Sequence, residues 1–566
     1  MKQLAIPEST GRPGRAFHPA TSIDLFRYRR QPGGKARAFR FAGALAGVLA
    51  VALPAQAQQV SGAIAPELRI VTVDARSNLG AMKPMRGVNA GPLPWSDRPA
   101  VERLHDIVEV SDRTGYRSLG ADASAGYREA SIDLIRIHDN YGPGDIYANF
   151  KGTRTMADGT SISAELLNRL VMFPNYLADP SDPASYNFGP TDALMKSISD
   201  IGGRALFRIG ASAGEESGVP DSFTRKEDYD HYAEIARHVV LHYNKGWNRG
   251  FNYGVKYWEV LNEPDGRFDP EKYFKLYGVL AKAVKSADKE ALIGGPSLMF
   301  THNGPAYREN FLKYLRANKL PLDFWTFHDY NVDAADPYLY VRLARDMREL
   351  LDGYGFRKAR LIMDEWNVLG INPQLLTLSG RAAFTTSAII YMQDSPLDEQ
   401  TFYMGPNLFG EDGKTPNKIG QALIALGKMK DTPVRLAVNG SDDKGFAVQA
   451  GKSADGNAIN ILISNYEVPE SLRKPRPQGD KISGAGWNIN LLPRRTLSYG
   501  RNDGFDLRVT GLDPHKLYQV RRYRISDVWD YRLLSTESLR GSDVKLTQLL
   551  PPPSIELISI QLDVPQ

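Results

Sequence analysis

Eight short apolar segments alternate with amphipathic segments between Met85 and about Lys430, and this alternation constrains the fold more than any other feature. Apolar runs bounded by turn residues are typical of buried parallel strands wrapped by helices. The predicted strands are Arg86 to Ala90, Leu134 to His138, Ala205 to Ile209, Lys256 to Leu261, Leu292 to Gly295, Phe324 to His328, Leu361 to Asp364 and Thr401 to Met404. Eight such repeats over about 345 residues predict a (β/α)8 TIM barrel with insertions, since the bare fold needs about 250 residues.

The segments between the strands have helical spacing. In Asp228 to Tyr243, the apolar residues Tyr232, Ile235 and Val239 fall on one face of a helix. Similar helices are predicted at Pro270 to Ser286 and Pro337 to Leu351.

After Lys430 the pattern changes to short alternating strands separated by Gly, Pro, Asn and Asp, which is typical of a β-sandwich. Examples are Lys444 to Ala450, Ala458 to Asn465 and Ile555 to Leu562. The run Leu68 to Asp74 also has strand character, and we expect it to complete that sandwich from the other end of the chain. The predicted divisions are a signal peptide at 1–57, an N-terminal strand segment at 58–85 that joins the sandwich, a catalytic barrel at 86–430 and a C-terminal β-sandwich at 431–566.

The apolar run Phe41 to Leu53 follows a basic stretch and precedes the small-residue site Ala55-Gln56-Ala57. Its 13 residues are too few to cross a bilayer, which needs about 20. The three-part pattern predicts a secretory signal cut before Gln58, and hence a periplasmic or secreted bacterial protein with no membrane span after cleavage. The alternatives are a buried helix or an uncleaved anchor, and the glycines within the run disfavour a core helix.

The net charge of +5 comes from the predicted signal segment. Residues 1–57 contain nine Lys or Arg and two Asp or Glu, a balance of +7, so the remainder of the chain is near −2. Nucleic-acid partners are therefore not expected, because their binding usually needs a basic surface. The chain has no cysteine, which excludes disulfides, thiolate catalysis and cysteine-ligated metals.

Two glutamates lie where predicted strands end. Glu263 follows the fourth strand in the stretch Tyr257 to Asp265, and Glu365 ends the seventh in Leu361 to Asn367. The carboxyl ends of barrel strands carry the active site in essentially all such enzymes. Glycoside cleavage needs a carboxylic acid that protonates the leaving oxygen and a carboxylate that stabilises the positive charge developing on the sugar. We therefore predict Glu263 as general acid and base and Glu365 as nucleophile, with an oligosaccharide or polysaccharide as substrate.

These residues resemble the clan A glycoside hydrolases, in which the acid/base follows an Asn on strand 4 and the nucleophile ends strand 7. Glycoside hydrolase family 39, the family of β-xylosidases and α-L-iduronidases, is the most similar. The segments Trp258 to Pro264 and Met363 to Asn367 match the two catalytic segments. The resemblance covers residues 68–440 and implies a barrel joined to a β-sandwich that draws on both termini.

The resemblance also implies supporting residues. Tyr330, in the strand 6 pattern His328-Asp329-Tyr330, would bond the nucleophile, and Arg136 and His138 would lie beside nucleophile and sugar. Asn262 would contact the sugar 2-hydroxyl. The alternatives are a buried ion pair for Arg136, core histidines for His138 and His328, and a packing role for Tyr330.

Tryptophans offer flat apolar faces on which sugars stack. Trp366, directly after the nucleophile, is the predicted platform, and Trp95 is a weaker candidate. Trp258 and Trp325 lie inside strands and are predicted to belong to the core.

The sequence departs from the family pattern on two strands. Strand 8 lacks the tryptophan that commonly floors the sugar site in clan A, so Tyr403 or no residue replaces it. The segment after His138 lacks the usual paired aspartates, which leaves specificity for xylose open. Arg208, at the end of strand 3, is either a structural charge or a partner for an acidic sugar.

Metal-binding spacings and nucleotide-binding glycine loops are absent from the sequence, and no cofactor is expected. The chain is predicted to be an exported retaining glycosidase, β-xylosidase-like or acting on a bacterial polysaccharide. The alternative is a carbohydrate-binding or exopolysaccharide-assembly protein that keeps the barrel without useful turnover. The sugar, its anomer, exo or endo action and the oligomeric state stay open.

Overall fold

The computed structural model describes most of the chain beyond the predicted signal segment. The described residues are 65–92, 122–138, 143–148, 153–155, 161–163, 168, 170–211, 225–299, 301, 305–331, 334–368, 374–410, 412–475, 481–484, 487–490 and 493–563. The predicted signal segment 1–57 and Trp95 lie outside them.

Parallel strands close into a barrel, as the sequence predicted. Numbered in chain order, the strands up to the last barrel strand are β1 Leu68–Asp74, β2 Gly87–Asn89, β3 Leu134–Ile137, β4 Thr153–Thr155, β5 Ser161–Ser163, β6 Arg204–Ile209, β7 Tyr257–Val260, β8 Leu292–Leu298, β9 Phe324–Asp329, β10 Arg360–Trp366 and β11 Glu399–Phe402. The barrel order is β2-β3-β6-β7-β8-β9-β10-β11, and β11 pairs with β2 to complete the ring. Strands β4 and β5 form a separate hairpin between the second and third barrel strands.

The helices surround the barrel. They are Ser124–Glu129, Gly189–Asp200, Lys226–Lys245, Pro264–Arg267, Pro270–Ala287, Pro305–Ala317, Leu339–Gly353, Leu378–Met392 and Lys418–Gly427. Local sequence sets their ends. In Pro270–Ala287 the side chain of Asp269 accepts a hydrogen bond from the Lys272 amide, and Pro270 occupies the first turn, where its missing N–H costs nothing. Lys226–Lys245 ends at Gly246, whose φ of 74° is the left-handed conformation typical of a helix C-terminus.

One end of the barrel is closed by side chains. Leu134, Leu206, Tyr257, Phe324 and Ile362, near the strand starts, form a compact apolar layer. The carboxyl ends of the strands are therefore the end at which a site can open.

At the same end, a buried glutamate is paired with two partly exposed arginines. Glu399, at the start of β11, is buried and accepts hydrogen bonds from Arg204 and from the Tyr257 hydroxyl, with Arg360 3.2 Å away. These contacts tie together the starts of four barrel strands.

The remaining strands form two sheets, one of which includes a parallel pair, and a separate two-stranded hairpin. They are β12 Val434–Arg435, β13 Ala437–Asn439, β14 Phe446–Lys452, β15 Ala458–Asn465, β16 Lys481–Gly484, β17 Trp487–Asn490, β18 Gly504–Thr510, β19 Leu517–Ser526, β20 Arg532–Arg540, β21 Lys545–Leu549 and β22 Ser554–Leu562. One sheet has the order β13-β1-β18-β21 and the other β12-β14-β15-β22-β19-β20. The N-terminal β1 pairs parallel with β18, so the sandwich draws on both ends of the chain.

The sandwich and the barrel share a core. The barrel helix Leu378–Met392 packs against β14 and β15, where the Ser387 hydroxyl donates to the Gly445 carbonyl at 2.7 Å. The Ser464 hydroxyl donates to the Ala383 carbonyl at 2.9 Å. Because this helix follows β10, the sandwich supports the strand that carries Glu365.

Along the described part of the chain, no helix combines the length and the apolar character that a membrane crossing requires.

Candidate active site

An irregular backbone carries Glu263 out of β7. Leu261 and Glu263 both have positive φ, 60° and 52°, in a region that non-glycine residues seldom occupy. The Glu263 amide donates to the Ser297 carbonyl at 2.9 Å, which fixes this turn to the neighbouring β8. Strained backbone of this kind persists where surrounding contacts over-determine it, and it is concentrated at functional sites.

A register shift carries Glu365 into the same space. The pairing of β10 with β9 is irregular between Met363 and Glu365. Such a bulge re-aims side chains, and here the consecutive residues Asp364 and Glu365 both contact Arg136. Regular strand alternation would have sent them to opposite faces.

The two predicted catalytic carboxylates lie close together and are both buried. One carboxylate oxygen of Glu263, one of Glu365 and one ring nitrogen of His328 all lie within 4.8 Å of one another. Glu263 comes from the fourth barrel strand and Glu365 from the seventh, as the sequence predicted.

Arg136 is the centre of the site's polar contacts. It is fully buried, and its Nη1 donates to Glu365 Oε2 at 2.9 Å. Its Nη2 donates to Asn262 Oδ1 at 2.7 Å, and its Nε donates to Glu259 Oε2 at 2.8 Å. Burial alone would lower the pKa of Arg136, but Glu259, Asp364 and Glu365 outweigh burial and raise it. Arg136 therefore stays a cation that fixes Glu365 and Asn262 in place.

His328 lies between the two catalytic segments. Its Nδ1 is 3.1 Å from Glu263 Oε1, and its Nε2 is 3.2 Å from Asp364 Oδ2 and 2.7 Å from the Ser297 hydroxyl. Burial opposes protonation, but Glu365 and Asp364 raise the pKa of His328 well above its ordinary value. A doubly protonated ring donates to a carboxyl oxygen on each side, which matches the contacts to Glu263 and Asp364.

The other predicted supporting residues also reach the pair. The Tyr330 hydroxyl donates a short hydrogen bond to Glu365 Oε1. His138 Nε2 lies 3.6 Å from Glu365 Oε2. Asn262 accepts from Arg136, and its Oδ1 lies 3.4 Å from the Ser297 hydroxyl oxygen.

Sequence reasoning missed four residues of the cluster: Asn89, Glu259, Ser297 and Asp364. Glu259 carried a usable signal, since it is a charged residue inside an otherwise apolar strand. Ser297 follows Gly294-Gly295-Pro296 and lies beyond the end of the predicted strand Leu292 to Gly295.

The three tryptophans of the barrel strands are core residues. Trp366 is fully buried, its indole N–H donates to Gln400 Oε1, and its ring packs edge-on against Tyr340 and Phe402. The prediction of Trp366 as a sugar platform is therefore wrong. The bulge in β10 directs the side chain of Glu365 into the site and that of Trp366 into the core. Trp258 and Trp325 are fully buried, as predicted.

The structure also defines the contacts of Arg208 and Tyr403, the two other residues considered for sugar binding. Arg208 is fully buried and forms an ion pair with Asp145 at 2.5 Å, which favours the structural alternative for this arginine. On strand 8, the partly exposed Tyr403 packs edge-on against Tyr330 with ring centres 5.6 Å apart. Tyr403 therefore borders the residue that holds Glu365.

The cluster of Glu263, His328 and Glu365 has the atom types of a metal site. Its hydrogen bonding fits an acid-base site better. Both ring nitrogens of His328 already face carboxyl oxygens, and Glu365 is paired with Arg136. A metal ion there would face the positive charge of Arg136.

A (β/α)8 barrel with two buried glutamates at the carboxyl ends of its fourth and seventh strands defines the class of barrel glycosidases. The model of glycosyl hydrolases family 39 matches residues 160–367, a range that contains both glutamates. Over this range the chain is similar to glycoside hydrolase family 39, and its β-xylosidase relatives support a glycosidase.

Similar proteins include a β-xylosidase of Caldicellulosiruptor saccharolyticus, 27% identical over 334 residues. The match covers 51% of this chain and 65% of that protein, so the chain spans slightly less than two thirds of its length. A solved glucosidase structure from Croceicoccus marinus has a TM-score of 0.74 at 29% identity and covers 88% of this chain and 100% of that one. A β-xylosidase structure from Caulobacter crescentus CB15 shares the fold with a TM-score of 0.56 at 16% identity, covering 87% and 99% of the two chains.

Proposed function

We propose that the protein is an exported glycosidase that retains anomeric configuration through a double displacement. The observation that carries this proposal is the approach of the Glu263 and Glu365 carboxylates to within 4.8 Å. Carboxyl groups in retaining enzymes stand about 5 to 5.5 Å apart, whereas inverting enzymes need about 6.5 to 9.5 Å to admit a water.

In the first step, Glu365 attacks the anomeric carbon and forms a glycosyl ester while the bond to the leaving oxygen breaks. Glu263 gives its proton to that oxygen. In the second step, Glu263 takes a proton from water, the water oxygen attacks the anomeric carbon, and the ester bond to Glu365 breaks. Both carboxyl groups then regain their starting protonation.

The neighbours of Glu365 suit this role. Arg136 and Tyr330 each donate to a different oxygen of Glu365, which fixes the rotation of the carboxylate and favours its ionised form. On the other side, His328 contacts Glu263 through Nδ1 and faces Asp364 through Nε2. Each glutamate is therefore oriented by separate partners.

We propose a β-linked xylose- or glucose-configured sugar as substrate, from a β-xyloside or a bacterial polysaccharide. The support is the names of the similar proteins, a β-xylosidase and a glucosidase. The purified protein should be assayed on a panel of aryl β-xylosides and β-glucosides and on bacterial exopolysaccharides. Turnover identifies the sugar, and binding without hydrolysis across the whole panel supports the non-hydrolytic alternative.

The catalytic roles can be separated with azide. Glu365→Gly should lose wild-type turnover, and azide should restore it by forming a glycosyl azide of inverted configuration. Glu263→Ala, assayed on a substrate with a good leaving group, should instead give an azide of retained configuration, because Glu365 still forms the ester. The same azide anomer from both variants, or no rescue of either, would contradict the assignment.

Export rests on the pattern in residues 1–57. Expression of the full chain in a bacterium, followed by fractionation, should place the protein outside the cytoplasm with Gln58 at its N-terminus. Retention in the cytoplasm with an intact N-terminus would contradict export.

A further inference from the structure

Two buried acids that the proposed mechanism does not use lie directly beneath its two glutamates. Glu259, in β7, and Asp364, in β10, are both fully buried. Glu259 Oε2 accepts from Arg136 Nε, and Asp364 Oδ2 accepts from the Ser297 hydroxyl at 2.9 Å and lies 3.1 Å from Arg136 Nε. One oxygen of each carboxyl group is thus fully engaged.

The second oxygen of each group has no such donor. Among the described residues, none donates a hydrogen bond to Glu259 Oε1 or Asp364 Oδ1, and both atoms are buried. The two carboxyl groups are neighbours, because Glu259 Oε2 lies 2.8 Å and Asp364 Oδ2 3.1 Å from the same atom, Arg136 Nε. Two neighbouring buried carboxylates repel each other unless one of them is protonated, and buried polar atoms are almost always paired.

We propose that Glu259 is a neutral carboxylic acid that donates its proton to Asp364, and that this shared proton holds Arg136 in position under the catalytic pair. The inference deepens the proposed glycosidase function and rests on it. It makes Glu259 a positioning residue, which acts on the reaction through Arg136.

The surroundings place the proton on Glu259 and not on Asp364. Asp364 faces the cations His328 and Arg136, whereas Glu259 faces one cation, Arg136. Burial, only partly offset by Arg136 and reinforced by Asp364, raises the pKa of Glu259 to about 8. Although burial disfavours the charged form of Asp364, His328 and Arg136 lower its pKa to about 2.

The charge balance of the cluster agrees with this assignment. Arg136 and His328 are cations, while Asp364 and the nucleophile Glu365 are anions, so the sum is zero when Glu259 and the acid Glu263 are protonated. Of the remaining neighbours, Thr326 from β9 is uncharged and Arg208 from β6 is paired with Asp145. His138, 3.6 Å from Glu365 Oε2, leaves the sum at zero when it is neutral. Ionised Glu259 would add an uncompensated buried charge, which is costly.

Variants of Glu259 distinguish a neutral donor from an ionised partner of Arg136. Glu259→Leu removes both contacts and should reduce kcat/KM by about 100-fold, the typical cost of displacing a catalytic group by about 1 Å. Glu259→Gln still donates to Asp364 and accepts from Arg136, and should restore activity to within about tenfold of wild type, since a hydrogen bond exchanged for a similar one changes the free energy by about 1 kcal/mol. A loss in Glu259→Gln as large as in Glu259→Leu would overturn the proposal.

Stability against pH gives a second readout that needs no substrate. The folded-state pKa of Glu259 lies above its ordinary value of 4.5, so the folded protein binds the proton more tightly than the unfolded chain. The resulting stabilisation is complete below pH 4.5 and is lost as the pH rises towards about 8. Glu259→Gln should remove this decline. An unchanged decline in the variant would contradict the proposal.

Infrared spectroscopy observes the proton directly. Wild-type protein at neutral pH should show a protonated-carboxyl band that Glu259→Gln lacks and that disappears on titration through about pH 8. Glu556→Gln is the matched control, because Glu556 is equally buried but accepts from two arginines, Arg522 and Arg524, and should contribute no such band. A wild-type spectrum identical to that of Glu259→Gln would exclude the shared proton. Because the spectra and the pH dependence do not require turnover, they remain decisive if no glycoside in the panel is hydrolysed.

Discussion

At the scale of single residues, Tyr330 is a contact of Glu365 that can be removed by deleting a single hydroxyl group. Its hydroxyl bonds Oε1 of Glu365, the oxygen that Arg136 leaves free. Tyr330→Phe should lower kcat by about 100-fold, the usual cost of losing one donor to a reacting group, with a smaller effect on KM. Steady-state kinetics on an aryl glycoside measures both constants. Tyr314→Phe, on the outer helix Pro305–Ala317, is the control and should behave as wild type. Equal kcat in Tyr330→Phe and Tyr314→Phe would exclude Tyr330 from the site.

The residues that sequence could bring together are those that end strands. Arg136, His328 and Tyr330 follow apolar runs, and the structure gathers them around Glu365. Asp364 was missed because a strand pattern does not reveal which charges a bulge will turn inward, whereas Glu259 was visible as a charge inside an apolar strand. The same bulge explains the error over Trp366.

At the scale of elements, close approach of strands at the closed end of the barrel limits side-chain size. A Cβ added at Gly294, in β8, would lie 2.4 Å from both the carbonyl oxygen and the ring of Phe324. Gly294→Ala should therefore destabilise the protein by about 1 to 3 kcal/mol, the usual cost of overpacking, measured as a lower midpoint of urea unfolding. Gly353→Ala, at the end of helix Leu339–Gly353, is the matched control, since nothing lies within 4 Å of its added methyl. Gly294→Ala unfolding at the midpoint of Gly353→Ala would contradict this account of the packing.

The eight barrel strands were located from sequence to within three residues at each end. Apolar runs this short, bounded by turn residues, are typical of buried strands and too short for helices. Pairing details were not accessible. The register shifts in β8 and β10 depend on the neighbouring strands, which local sequence does not contain. Those shifts are what position Ser297, Asp364 and Glu365, so the site was less predictable than the fold that carries it.

At the scale of the whole molecule, the barrel and the sandwich are coupled through one core. Buried residues of the sandwich, among them Leu462, Tyr466 and Leu557, pack in the same apolar cluster as the barrel helices. The Tyr466 ring packs edge-on against Phe384 of the helix Leu378–Met392, and its hydroxyl donates to the Ala335 carbonyl at 2.8 Å. Ala335 lies in the connection that follows β9, the strand of His328. Loss of packing in the sandwich should therefore destabilise the barrel strands that carry the active site.

Deletion of β1 tests this coupling. A chain that starts at Arg76 lacks β1, which pairs with β18 and β13 and fully buries Val71 and Val73. Removing the two valines alone should cost about 3 to 6 kcal/mol, so the midpoint of urea unfolding should fall. The control is a chain that starts at residue 65, just before β1, and keeps the strand.

Glycosidase activity and tryptophan fluorescence should be followed across the same urea series. Because the core is continuous, both signals should disappear together at the lower midpoint in the chain that starts at Arg76. Activity that persists in urea beyond the loss of sandwich structure would show that the barrel holds its site without the sandwich. An unfolding midpoint equal to that of the control chain would show that β1 contributes nothing, although its two valines have no exposed surface.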